Sequence, residues 1–127
     1  KWVANLADMG VRIISLSDTV GTAKTVDIDL LFRELITAYP ELEFGAHFHA
    51  HPDHWYEKIN SAYLAGCTRF DGTIKGRGGC PMAPDELVGN IPMEKLISFL
   101  TSHNELDKNF NALAFESAYN FSHKIFS

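Results

Sequence analysis

The chain has 127 residues, 46% hydrophobic and 21% charged, with a formal net charge of −5. That is room for one modest domain with one core, and the negative balance argues against a general nucleic-acid binder or a membrane-surface binder. No apolar run approaches the roughly 18 residues of a membrane span and no signal peptide opens the chain, while two cysteines at unlike sites make no disulfide framework and point to a reducing, cytoplasmic home.

The first stretch, KWVANLADMGVRIISLSDT, reads as the tail of a helix running into a strand, with no initiator methionine. It predicts a piece of a longer protein. VRIISLS (11–17) is β-branched and nearly continuously apolar, the pattern of a strand buried on both faces. KTVDIDLLFRELITAYP (24–40) carries apolar residues at 28, 31, 32, 35 and 36, a helical spacing that Pro40 stops. LEFGAHFH (42–49) is strand-like. PDHWYEKINSAYLAG (52–66) is helical, with Trp55, Ile59, Ala62 and Tyr63 on one face and Gly66 as terminator. TRFDGTI (68–74) is a third strand, PMEKLISFLTS (92–102) a helix with Pro92 near its first turn, and the last 20 residues a further helix.

Strands alternating with helices mean parallel strands joined by crossover helices. Three strands make a poor open sheet, and a complete barrel needs about 250 residues. The alternation therefore predicts an α/β fold, the C-terminal part of a (β/α)8 TIM barrel: about three βα units plus a terminal helix, with residues 1–127 forming one portion of a single domain.

The segment GAHFHAHPDHW (45–55) holds four of the six histidines. In a strand, residues two apart share a face, so His47 and His49 project together near the strand's C-terminal end, where parallel α/β folds place their active sites. Two imidazoles there can grip one metal ion, and buried side by side they are hard to satisfy without a ligand. His51 continues the phase but precedes Pro52 and reads as having left the strand. His54, in the first turn of the next helix, reads as solvent-facing. Asp18 emerges where the first strand gives way to a loop, as a functional carboxylate or as a turn or cap residue. KGRGGCPMA (75–83) is a glycine loop able to approach a ligand closely. Gly78 and Gly79 are its candidate substrate-binding residues, and Cys80 riding on it is a candidate proton donor or nucleophile. Cys67, at a helix end, reads as a buried small hydrophobe. Asn90 is either an N-cap or an oxygen donor to a metal.

Taken in order, ISLSDTVG, GAHFHAHPD, GRGGCPMA and VGN…EKLISFL resemble the C-terminal part of the hydroxymethylglutaryl-CoA lyase family, over roughly residues 2 to 103. These are metal-dependent TIM-barrel lyases, related to Claisen-type condensing enzymes. The resemblance implies that His47, His49 and Asn90 are metal ligands, that Asp18 lies near the acyl substrate and that Cys80 takes part in catalysis. Its cofactor is a divalent metal, Mg²⁺ or Mn²⁺, with Zn²⁺ not excluded by the mixed N/O donors. Its partner is an acyl-CoA substrate, and self-association is expected. The chain departs from the family after the second histidine, where AHPDHW replaces the usual Asp and Gly-containing loop, and at Arg77. It holds no match to the Arg–Asp pair of the family's first strand, so the chain alone is expected to be inactive.

The implied reaction is a retro-Claisen cleavage of 3-hydroxy-3-methylglutaryl-CoA to acetoacetate and acetyl-CoA. It requires a positive charge beside the developing alkoxide, a base for the hydroxyl proton (His47 or Asp18) and a proton donor for the acetyl-CoA carbanion, the role that fits Cys80. Rival readings are a condensing synthase of the isopropylmalate, homocitrate or citramalate type, a zinc amidohydrolase, and a non-catalytic scaffold. The late position of His-x-His, ahead of a GGCP loop, argues against the amidohydrolase.

Overall fold

The computed structural model describes residues 1–79 and 88–126. In chain order these form α1 (Trp2–Asp8), β1 (Ile13–Asp18), α2 (Thr25–Ala38), β2 (Glu43–Ala50), α3 (Trp55–Leu64), β3 (Arg69–Phe70), a single 3-10 turn (Ile74–Gly76), β4 (Gly89–Asn90), α4 (Met93–Ser102) and α5 (Ala112–Ile125). β1, β2 and β3 are parallel and adjacent in that order, and β4 pairs antiparallel with β2. This is the succession of βα units that the alternation predicts.

β2 is the central strand. Its even-numbered residues Phe44, Ala46, Phe48 and Ala50 are buried among Ile28 and Phe32 of α2, Ile59 and Ala62 of α3, and Leu96 and Phe99 of α4. Phe32 meets Phe48 edge to face with ring centroids 6.3 Å apart, a geometry that adds to area burial. Full burial of a side chain such as Phe32 stabilises the fold by roughly 1.5–3 kcal/mol.

Two expectations need correction. β1 is not buried on both faces: Ile14 and Asp18 are enclosed, whereas Ile13, Ser15 and Ser17 are open to solvent. Among the described residues only one edge of β1 is paired, and the face bearing the two serines has no layer over it. The stretch 68–74 is also mostly not strand. Only Arg69–Phe70 joins the ladder, because the chain then turns so that Thr73 N donates to Ile91 O at 3.0 Å. Among the described residues no helix is long and apolar enough to cross a membrane.

The open edge of β1 lies beside a groove lined by Leu16, Ile28 and Leu31. An unpaired strand next to exposed apolar side chains is a template for another chain. The 127-residue chain by itself is therefore expected to self-associate in sedimentation equilibrium; a stable monomer across the micromolar range would contradict this.

Candidate metal centre

His47 and His49 leave β2 on the face opposite the helices. Their ring centroids stand 5.6 Å apart, as the two-residue period requires. His49 is 7% exposed. Burial, then the neighbouring His47, hold its pKa below the ordinary 6.5, while Asp18 and a hydrogen bond with Asn90 oppose that shift. The ring is therefore neutral near pH 7 and keeps a lone pair. Its Nδ1 is enclosed and has no hydrogen-bond partner among the described residues.

Asn90 reaches this ring through β4, where it stands directly opposite His49 in the register. Its Nδ2 donates to Arg77 O at 3.0 Å and Gly78 O at 3.1 Å. With the amide nitrogen held by the loop, the oxygen is the atom left for the imidazole. The loop passes so close that a Cβ on Gly78 (φ +88) would stand 3.0 Å from Asn90 Nδ2, so a glycine is needed there for both backbone and space. The N-cap reading of Asn90 is not what is found: Pro92 precedes α4 at the cap.

His47 is more open. Its Nδ1 lies 3.5 Å from Asp71 Oδ2, a long contact, and Ser15 Oγ donates to the same oxygen at 3.4 Å. A carboxylate on one ring nitrogen leaves the other directed at a ligand. Asp71 was not foreseen as a site residue, although its place just past the third strand could have signalled it.

Asp18 does not join the histidines. It ends β1 with its side chain on the helix side of the sheet, 8% exposed. Its oxygens accept from Thr22 N and Ala23 N, each at 3.0 Å, and from Lys58 Nζ at 2.7 Å. Burial alone would raise its pKa, but the Lys58, Ala23 and Thr22 donors outweigh this and hold it below the ordinary carboxylate value. The carboxylate is bonded to α3 and to the loop after β1, and the residue also lines the groove beside β1. Lys58 was also missed. Its signal was a lysine lying between Trp55, Ile59 and Ala62 on the apolar side of a helix.

His51 has left the strand and sits 3.5 Å from Asp53, while His54 is exposed and paired with Glu57 at 3.0 Å. Cys67 is buried, and desolvation pushes its thiol pKa up to about 11. Gly79 is exposed at the end of the first described segment, and a Cβ there would meet Val88 O at 2.9 Å. Cys80 lies outside the described residues.

Among the described residues no group of three or more His, Cys, Asp or Glu side chains could hold a metal ion. The donors that do converge are two imidazoles and an amide. A neutral buried histidine with an orphaned nitrogen, facing an amide oriented by a loop, fits part of a divalent-ion shell and is poorly explained as core packing.

Two histidines at the C-terminal end of a parallel strand, with helices behind them, stand where an α/β barrel places its active site. The chain belongs to the HMGL-like family, whose model matches residues 1–121. It is 32% identical over 95 residues to a hydroxymethylglutaryl-CoA lyase of Bacillus subtilis, covering 75% of this chain and 31% of that protein. It is 34% identical over 90 residues to an (R)-citramalyl-CoA lyase of Chloroflexus aurantiacus, covering 71% of this chain and 28% of the relative. The solved HMG-CoA lyase of Bacillus subtilis superposes with a TM-score of 0.82 at 27% identity, over 96% of this chain and 40% of that one. The fold is that of part of a TIM barrel, and the chain spans about a third of the length of the curated relatives it matches.

The lowered Asp18 pKa fixes a pH dependence. A carboxyl whose folded pKa is below its unfolded value, near 3.9, stabilises the fold above that value and loses the contribution as pH falls through the lowered one. Asp18→Asn is expected to cut stability at pH 7 by roughly 3 kcal/mol or more, since Lys58 is left buried without its partner. It should also flatten the acid limb of a urea-unfolding series below about pH 4. An acid limb identical to wild type would contradict the assignment.

Proposed function

We propose that this chain forms the C-terminal portion of a TIM-barrel catalytic domain and contributes the metal-binding strand and glycine loop of an acyl-CoA lyase. The reaction is cleavage of 3-hydroxy-3-methylglutaryl-CoA to acetoacetate and acetyl-CoA. The observation that carries this reading is the His47–His49–Asn90 cluster at the end of β2, with one imidazole nitrogen unsatisfied. The named activities of the lyase relatives support the acyl-CoA class.

His47, His49 and Asn90 would hold the ion, Mg²⁺ or Mn²⁺, with Zn²⁺ compatible with the same donors. When bound, it supplies positive charge against the oxygen that becomes anionic as the carbon–carbon bond breaks. As a ligand His47 has its nitrogens directed at the ion and at Asp71, and the oxygens of Asp18 are occupied by Lys58 and two backbone amides, so neither has a lone pair free for the hydroxyl proton. Gly78 and Gly79 let the loop backbone approach the substrate, and Cys80 protonates the carbanion of the departing acetyl-CoA. The loop's bonds to Asn90 tie that proton donor's segment to the metal ligands.

A related substrate is the second reading, favoured by the 34% identity to the citramalyl-CoA lyase. Assaying the complete enzyme with both thioesters separates the two. Cleavage of hydroxymethylglutaryl-CoA supports the first and cleavage of citramalyl-CoA alone the second, whereas bond formation between acetyl-CoA and a 2-oxo acid, with no cleavage of either thioester, would place the protein among the condensing synthases.

In the complete enzyme His49→Ala should lose Mn²⁺ binding and cleavage together; a metal titration matching wild type would remove His49 from the ligand set. Cys80→Ser should keep the metal and lower turnover about 10²-fold or more, the scale of a lost general acid. Iodoacetamide at pH 8 should label Cys80 and spare Cys67, whose thiol is buried and stays protonated there. Label found on Cys67 with Cys80 unmodified would reverse the two roles.

A further inference from the structure

Lys58 sits on the buried side of α3 at 5% exposure. An ammonium has three donors, and here each finds an acceptor from a different segment. Nζ donates to Asp18 Oδ2 at 2.7 Å, at the end of β1, and to Gly21 O at 2.8 Å, in the loop that follows. The third bond, at 3.3 Å, goes to the backbone carbonyl of His49 at the end of β2. Asp18 in turn gathers the amides of Thr22 and Ala23. One side chain from the helix layer thus closes the β1–α2 loop onto the strand that bears the histidines.

The loop is drawn in tightly. Gly21 has φ +72, and a Cβ there would stand 3.3 Å from His49 O and 2.7 Å from Val88 Cγ1. The His49 carbonyl is therefore gripped from one side by the ammonium and hemmed by the Gly21 backbone. The same residue faces Asn90 across β4. Fixing the His49 peptide fixes the direction of its Cα–Cβ bond, and with it the height at which the imidazole meets the Asn90 amide. The ion pair alone does not need this arrangement: Asp18 could be neutralised by a lysine that touched no carbonyl of β2.

We propose that Lys58 is a positioning residue of the metal centre, holding the His49 backbone from the helix side so that its imidazole and Asn90 are preset for a divalent ion. The inference rests on the metal-binding reading above. Partners behind a metal ligand typically set affinity by roughly 10- to 100-fold, which is the size of effect at stake.

The test separates positioning from simple charge pairing. Lys58→Met alone leaves Asp18 buried and unpaired and lowers the melting temperature. Combining it with Asp18→Asn removes both charges while keeping the volume, and such a replacement commonly restores stability. Methionine cannot donate to His49 O or Gly21 O. Free Mn²⁺ is measured by electron paramagnetic resonance during titration of the complete enzyme. The double variant should melt near wild type yet bind Mn²⁺ roughly 10- to 100-fold more weakly, while Asp18→Asn alone, which is less stable but keeps an ammonium able to reach both carbonyls, should bind Mn²⁺ more tightly than the double variant. A double variant with wild-type affinity would overturn the proposal and leave Lys58 a charge partner only. An Asp18→Asn variant as weak as the double would also overturn it, by assigning the effect to the carboxylate. Should the methionine pair not fold, Asp18→Asn with Lys58→Gln is read in the same way, since the shorter amide cannot span both carbonyls. Failure of wild type itself to bind Mn²⁺ would overturn the metal-binding reading, and the proposal with it.

Discussion

Everything at the site depends on the two-residue alternation of β2. Phe44, Ala46, Phe48 and Ala50 are all nearly inaccessible, locked among α2, α3 and α4. Their locking leaves His47 and His49 no choice of face. A slip of one residue would drive two imidazoles into the aromatic core and expose two phenylalanines. The core therefore does more than stabilise the fold: it sets the direction of both candidate ligands, and the parallel register with β1 and β3 brings Ser15 and Asp71 to the same side.

A second constraint acts across the ends of the elements. The candidate site is assembled from segments far apart in sequence: His49 on the central strand, Asn90 on a two-residue strand, and Arg77 and Gly78 on the loop between. Each is held by a group from another segment. Loop carbonyls orient the Asn90 amide, Asn90 stands against His49, and the His49 carbonyl takes a bond from Lys58. In a low-dielectric setting a polar network left one partner short is costly. The orphaned His49 Nδ1 marks where that shortage lies.

The order of strands and helices and the shared face of His47 and His49 were legible in the sequence because both rest on local periods. What escaped it was non-local. Asn90 could be given two roles, since nothing near residue 90 says that it will pair with His49. TRFDGTI looks like seven residues of strand, but the turn that lets Thr73 bond to Ile91 cuts the ladder after Phe70. VRIISLS looks buried throughout, yet Ser15 and Ser17 lie on an uncovered face. The position of Asp18 at a strand's end says where the residue sits but not which face its side chain takes; its even parity with Ile14 and Leu16 points it toward the helices. Lys58 gives little local signal, because a lysine in a helix usually lies in water, and only its neighbours Trp55, Ile59 and Ala62 mark the apolar side.

Membership in the HMGL-like family and a partial TIM-barrel fold leave the chemistry to the side chains. On the function proposed above, the two β2 imidazoles bind one ion. Pulsed electron paramagnetic resonance of the Mn²⁺-loaded protein reads it directly, through hyperfine coupling of the ion to nearby nitrogen. Modulation from two directly coordinated imidazole nitrogens is the expected result, reduced to one when His47 alone is replaced. A Mn²⁺ signal with no coupled nitrogen, an all-oxygen shell, would contradict the claim.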